Sequence, residues 1–306
     1  MSRSLILGTR GSPLAMAQAK KVASALEAAN RWAAGDVEIV TVTTSGDRIQ
    51  DRPLAEIGGK ALWTKELDKA LLDGVTDFSV HSLKDVESER PKAIRLAAVR
   101  PRADARDRII GAPSIAALKK GAVVGTSSPR RKAQLLALRP DLLIVPLRGN
   151  VDTRLAKLEG GDLDAIILAA AGLIRLGKRN VGTPIPVAEM LPAPTQAVIA
   201  MECRADDSLT IMALRQVDDA STHSVIAAER AFTAALGATC HSPVAAFATI
   251  DRGQIRLRVQ ILAEDGGTSI RDETRFDIGD MDAPAALARD LLGRAPAVIR
   301  ALFAKA

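Results

Sequence analysis

The residues of this chain that could do chemistry are one cysteine in a turn, one carboxylate among cations, and arginines that follow short apolar runs. Cys240 lies in Gly237-Ala238-Thr239-Cys240-His241-Ser242-Pro243. Glycine before and proline after it read as an exposed turn. A thiol needs access to react, so Cys240 is a candidate for a covalent role; a small buried hydrophobe is the alternative. His241 makes no obvious pair with it, because adjacent side chains point apart. Cys203 follows an apolar run and reads as core, and the isolated His81 and His223 read as structural.

Arg10, Lys84, the pair Arg130-Arg131, and Arg148 each sit in a loop after a short apolar stretch, and Arg154 follows one helical turn later. Arginine forks take carboxylates bidentately. Helix N-termini add N–H donors. In open α/β sheets, ligands collect at the carboxyl ends of strands. Any one of these arginines reads equally well as solvated surface; together they point to a small polyanion. Asp85 is the only obvious carboxylate in the group. Surrounding cations favour its charge, so it suits stabilising a cation better than donating a proton. A structural partner of one arginine is the other reading.

The whole chain must position these groups. Its 306 residues allow two or three domains, and 47% hydrophobic with 25% charged residues is an ordinary soluble composition. Two cysteines without a CxxC argue against a disulfide framework or a structural zinc site, and fit a reducing compartment. The apolar start Leu5-Ile6-Leu7 is too short for a signal sequence, and the run Ala165 to Ile174 is too short to span a bilayer. A cytoplasmic protein without membrane contact is expected. The net charge is +6, but aromatics are 2% and tyrosine is absent, so stacking platforms for nucleic acid are scarce and none is expected as partner.

Leu5 to Leu7 predicts a strand, and Ser12-Pro13 predicts the cap and first residue of a helix running to about Asn30. Val37 to Thr44 predicts a strand, Thr64 to Asp73 a helix, Asp77 to Val80 a buried strand, and Ile94 to Val99 another. The polar stretch Ser45 to Lys60 predicts a lid or binding loop. The pattern then repeats. Gly8-Thr9-Arg10-Gly11-Ser12-Pro13 is echoed by Gly125-Thr126-Ser127-Ser128-Pro129, and Gly74-Val75-Thr76-Asp77 by Gly161-Asp162-Leu163-Asp164. Repeats of this kind predict two similar α/β lobes. The end differs: a helix from Ser224 to Leu236, strands at Ile255 to Leu262 and Thr274 to Ile278 about a Glu264-Asp265-Gly266-Gly267 turn, and a helix from about Pro284. That is a small α+β domain carrying Cys240.

Taken in order, these motifs resemble the porphobilinogen deaminase family over nearly the whole chain. They are GTRGSPLA at Gly8, GGKALWTKEL at Gly58, HSLKDV at His81, GTSSPRRKAQL at Gly125, LRGNVDTRL at Leu147, AAGLIRL at Ala170, LPAP at Leu191 and ERAF at Glu229. The resemblance implies two periplasmic-binding-protein-like lobes plus the small α+β C-terminal domain. Residues 1–98 with 199–218 would form the first domain, 104–192 the second and 222–306 the third. It implies a transferase that joins four porphobilinogen units on a dipyrromethane cofactor, held by thioether to Cys240, and releases hydroxymethylbilane and ammonia for haem synthesis. Asp85 would bond the pyrrole N–H groups and stabilise the cationic azafulvene left by deamination. Lys84, Thr126, Ser128, Arg130 and Arg131 would hold the cofactor. Arg10, Ser12, Lys60, Arg148, Arg154 and Arg175 would hold the substrate's acetate and propionate arms. A monomer is expected.

The chain departs from the family pattern at several points. Thr195-Gln196-Ala197 stands where the family has Gly-Gln-Gly, and Ala238-Thr239 precedes Cys240 where it has Gly-Gly. Pro129 replaces a leucine and Glu87 a proline. Lost glycines bear on backbone geometry, since glycine tolerates positive φ; they remove no charged group. The rival reading is a two-lobed, non-catalytic binding protein for a small polyanion, which gives Cys240 no purpose.

Overall fold

A computed structural model describes residues 4–44 and 64–303. Two compact units emerge, one of residues 1–103 with 197–223, the other of 104–196 with 224–306. The expected lid, Ser45 to Lys60, lies outside the described residues.

In the first unit, β1 (Leu5–Thr9), α1 (Pro13–Asn30), β2 (Val37–Thr41), α2 (Lys65–Leu72), β3 (Phe78–Ser82) and β4 (Ile94–Val99) are followed, after the chain has built most of the second unit, by β10 (Ile199–Arg204) and α6 (Ser208–Arg215). The sheet order is β2-β1-β3-β10-β4. The first three strands are parallel, and β10 runs antiparallel to both neighbours. One apolar core gathers Leu7, Val22, Leu26, Phe78, Met201, Cys203 and Leu214. Cys203 is therefore core, as its apolar context predicts.

In the second unit, β5 (Asp107–Ile110), β6 (Val123–Gly125), α3 (Pro129–Leu138), β7 (Leu143–Val145), α4 (Val151–Glu159), β8 (Ala165–Ala169), α5 (Ala170–Arg175) and β9 (Thr183–Pro184) form a sheet of order β7-β6-β8-β5-β9. The apolar run from Ala165 is thus a strand that turns directly into a helix. Its strand part distributes alternate residues to cores on opposite faces: Ala165 and Ile167 to one, Ile166 and Leu168 to the other.

The predicted repeat is structural. β6 is parallel to β7 and β8, as β1 is to β2 and β3. The fourth strand of each sheet is antiparallel and begins just after the chain arrives from the other unit. The Gly-x-x-Asp echo has a physical cause. Gly74 and Gly161 both turn the chain at positive φ (74° and 87°). Asp77 then accepts the Ile6 N–H at 2.8 Å, and Asp164 accepts the Val123 N–H at 2.8 Å. Asp77 thus bonds the second residue of β1, and Asp164 the first residue of β6. Ser12 and Ser128 cap α1 and α3, accepting from Ala15 N at 3.3 Å and Arg131 N at 3.4 Å, each followed by proline.

The C-terminal segment carries α7 (Ala220–Ala235), β11 (Val244–Asp251), β12 (Gln254–Leu262), β13 (Ser269–Asp277), α8 (Asp282–Arg294) and α9 (Ala297–Arg300). Its three strands form a separate antiparallel meander. β11 is not among the strands expected from the sequence. The β12–β13 turn packs on α3: a Cβ on Gly266, which sits at φ 73°, would lie 2.5 Å from Ala133 O and Ala137 N. Only glycine permits that approach.

Thr195 and Ala197, where the family has glycine, adopt left-handed backbone at φ 59° and 75°. Thr195 N–H donates to the buried Glu229 carboxylate at 2.5 Å, whose other oxygen accepts from Ala248 N at 2.7 Å. This explains the glutamate of the ERAF motif: it ties the C-terminal segment to the turn. Left-handed backbone costs a non-glycine residue roughly 1–2 kcal/mol, and glycine returns about 0.5–1 kcal/mol of that to the unfolded chain as entropy. Thr195→Gly and Ala197→Gly are each expected to raise unfolding free energy by roughly 0.5–1 kcal/mol, more for β-branched Thr195. Urea denaturation checks this, and lowered stability in both variants contradicts it.

Candidate functional site

Several of the expected site residues stand where strands end. Arg10 directly follows β1, and Lys84 and Asp85 follow β3 in a single 3-10 turn, Leu83–Asp85. Leu83 and Val86 are buried, and the Leu83 N–H donates to Val198 O at 3.0 Å. With those two anchored inward, Lys84 and Asp85 between them stay half-buried. Arg10, Ser12, Gln18, His81, Ser82 and Asp85 line one open cleft. Three expected site residues, Arg10, Ser12 and Asp85, are therefore brought together. Gln18 Nε2 donates to Ser82 Oγ at 2.8 Å and stiffens the cleft wall. Ser12 spends an acceptor lone pair on its helix cap, which leaves its O–H as a donor.

Behind the cleft lies a buried ionic network that the sequence reading missed. Arg90 is held by both oxygens of Glu202, Nε and NH2 each at 2.9 Å, and by Asp68 at 2.5 Å. His81 Nε2 stands 3.4 Å from Glu202. Burial pulls the His81 pKa below its ordinary value, against the opposing pull of Glu202. That carboxylate already accepts from Arg90 through both oxygens. His223 Nδ1 meets Asp218 at 3.1 Å in the same unit.

In the second unit Thr126 is buried and accepts the Ser128 N–H at 3.2 Å, which shapes the turn into α3. Arg130 and Arg131 are buried, 3% and 6% exposed, in the first turn of α3. Neither points to open solvent. Both grip Asp107, Arg130 NH2 on Oδ2 and Arg131 NH2 on Oδ1, at 2.7 Å each. Arg130 also donates to Leu191 O at 2.6 Å, and Arg131 to Ile167 O at 2.9 Å. Asp107 is thus a second carboxylate in the basic group, besides Asp85. Because β5 runs antiparallel to β8, its first residue, Asp107, pairs with the last of β8, Ala169. It lies at the same sheet edge as the arginines. Burial would raise the Asp107 pKa, but the two guanidiniums hold it well below the usual carboxylate range.

Arg148 follows β7 and is half-buried. Arg154 donates from Nε to Gly149 O at 2.8 Å. Arg175 ends α5, and burial pushes its pKa down to about 10. An arginine whose charge is disfavoured by desolvation gains from an arriving anion. Lys60 lies outside the described residues.

Cys240 is exposed, in a turn knitted by His241 N to Thr239 Oγ1 at 3.2 Å and Thr239 N to Ser242 Oγ at 3.0 Å. Ala238 and Thr239, unlike Thr195 and Ala197, are not at positive φ. The two glycines lost before the cysteine therefore impose no backbone strain.

The description "Porphobilinogen deaminase, dipyromethane cofactor binding domain" matches residues 5–212, and "Porphobilinogen deaminase, C-terminal domain" matches 224–293. A porphobilinogen deaminase of Sphingopyxis alaskensis is 53% identical over 98% of this chain and 96% of its own length. That of Paracoccus denitrificans is 46% identical over 95% and 94%, and that of Deinococcus radiodurans 44% over 96% and 97%. Among solved structures, the periplasmic VFT2 domain of Bordetella pertussis BvgS aligns at 15% identity and TM-score 0.42, over 74% of this chain and 91% of that one. A periplasmic substrate-binding protein of an ABC transporter from Coxiella burnetii aligns at 17% and 0.42, over 74% and 96%. Two family domains matched in order, with relatives this similar along nearly their whole length, place the chain in the porphobilinogen deaminase family, transferases of tetrapyrrole synthesis.

Proposed function

We propose that this chain deaminates porphobilinogen and joins four units head to tail on a dipyrromethane held by thioether to Cys240. Hydroxymethylbilane and ammonia are released. The observation that carries this reading is the arginine pair: two buried guanidiniums share one carboxylate, which leaves positive charge in the protein interior. Arg130 Nε and Arg131 Nε are buried without a hydrogen-bond partner among the described residues. A ligand bearing carboxylates fits such a cluster. A non-catalytic binding protein would need it too, but would have no use for an exposed thiol in an ordered turn.

When bound, the dipyrromethane supplies the pyrrole carbon to which the first substrate unit is joined. Lys84, Thr126, Ser128, Arg130 and Arg131 would hold its carboxylate arms. Arg10, Ser12, Lys60, Arg148, Arg154 and Arg175 would hold those of the substrate. Asp85, in the cleft with Arg10, would accept pyrrole N–H bonds and offset positive charge as ammonia leaves. We assign the work to three domains, 1–98 with 199–218, 104–192 and 222–306, in a cytoplasmic monomer. A reducing compartment keeps the Cys240 thiol available.

The unfolded protein is expected to weigh more than its 32.3 kDa chain by one dipyrromethane. Intact mass spectrometry of protein made with a working haem pathway checks this. Cys240→Ser should lose the increment and Cys203→Ser should keep it; a bare-chain mass in the wild type contradicts the reading.

Asp85→Asn keeps size and an acceptor but removes charge. It is expected to lower kcat by roughly 10²-fold or more, the scale of one preorganised electrostatic group. Its melting temperature should stay near wild type. Single-turnover ammonia release and thermal melting on the same sample separate this from a structural role, which would reverse the two results.

A further inference from the structure

Asp107 has no exposed side-chain surface, and its two partners expose 4% and 7% of theirs. Each guanidinium is fixed by two acceptors, one Asp107 oxygen and one backbone carbonyl. Asp107 is itself braced. Gln196 Nε2 donates to Oδ1 at 3.0 Å and to Ala105 O at 2.7 Å. Two positive groups, one negative group and a neutral amide leave the cluster with one net positive charge.

We propose that Asp107 is the positioning residue of the arginine pair: it sets both guanidiniums in place before the cofactor arrives and leaves one charge over to receive a cofactor carboxylate. The inference rests on the reading that Arg130 and Arg131 hold the cofactor. Like charges repel, and most strongly where water is excluded. Without Asp107 the two arginines separate, and an arriving anion has to order them as it binds. Preorganised groups avoid that cost. Removing Asp107 therefore has two opposed effects. Net charge rises, which strengthens attraction for an anion. Order falls, which slows productive docking. Asp107 stays ionised throughout the neutral range, so the device is permanent and does not switch with pH.

The test uses full-length apoprotein, wild type and Asp107→Asn, mixed with porphobilinogen. Adduct growth is followed by intact mass against porphobilinogen concentration, with thermal melting of each sample. Asp107→Asn is expected to load at a maximal rate roughly tenfold or more below wild type, the scale of lost orientation. Its half-saturating concentration should be unchanged or lower, because the extra charge attracts. A structural role would lower melting temperature without that split. A maximal rate within about threefold of wild type, far short of an orientation effect, overturns the proposal, as does faster loading. A wild type that takes up no adduct overturns the functional reading instead. If Asp107→Asn does not fold, Gln196→Leu decides, since it keeps all three charges and removes the brace. Slower loading with unchanged melting supports the proposal, and a normal rate overturns it.

Discussion

Bringing several arginines together inside a protein meets a hard constraint. Burying a charged group costs several kcal/mol even after relaxation, and like charges brought close repel. In this chain the second unit meets that constraint with one carboxylate, Asp107, shared between Arg130 and Arg131. The rest of that sheet edge follows from it. Asp107 must open an antiparallel strand to reach the carboxyl ends of its neighbours, and β5 does so. The arginines must leave the first turn of a helix, where Ser128 caps and Pro129 starts it. Gln196 must arrive from a distant part of the chain to brace the carboxylate.

The first unit handles charge differently. Arg90 is outnumbered by three carboxylates, Glu202, Asp68 and Glu87. His81 sits neutral against Glu202 and lines the cleft that Asp85 and Arg10 share. The buried cluster of the second unit thus keeps positive charge in surplus, and that of the first surrounds its arginine with carboxylates.

Backbone strain marks the turn where the chain leaves the second unit. Thr195 and Ala197 hold left-handed conformations that cost non-glycine residues energy. Glu229 and Gln196 supply the bonds that hold this turn in place. Glycine at either position would hold the same φ at lower cost. Before Cys240, where no positive φ is required, the same loss of glycine costs nothing of this kind.

Much of this protein follows from local rules. Ser-Pro caps, Gly-x-x-Asp turns and the order of strand, loop and helix depend on residues a few positions apart, so the repeated lobe was legible from its echoes. The basic residues were legible as strand-end groups for the same reason, as was the exposure of Cys240 between glycine and proline. The family string added the roles that no spacing reveals. What the tertiary structure alone decided involves partners far apart in the chain. Asp107 lies in Ala105-Arg106-Asp107-Arg108, beside two arginines it does not serve, and meets Arg130 and Arg131 across 23 and 24 residues. Glu202 meets Arg90 across 112. β10 enters the first sheet between two strands formed about a hundred positions earlier, and nothing in Ile199–Arg204 announces that slot. A charge's neighbours in sequence set its local conformation; its neighbours across the sheet edge set its energy. That is why the sequence named the arginines, and only the fold showed which carboxylate holds them.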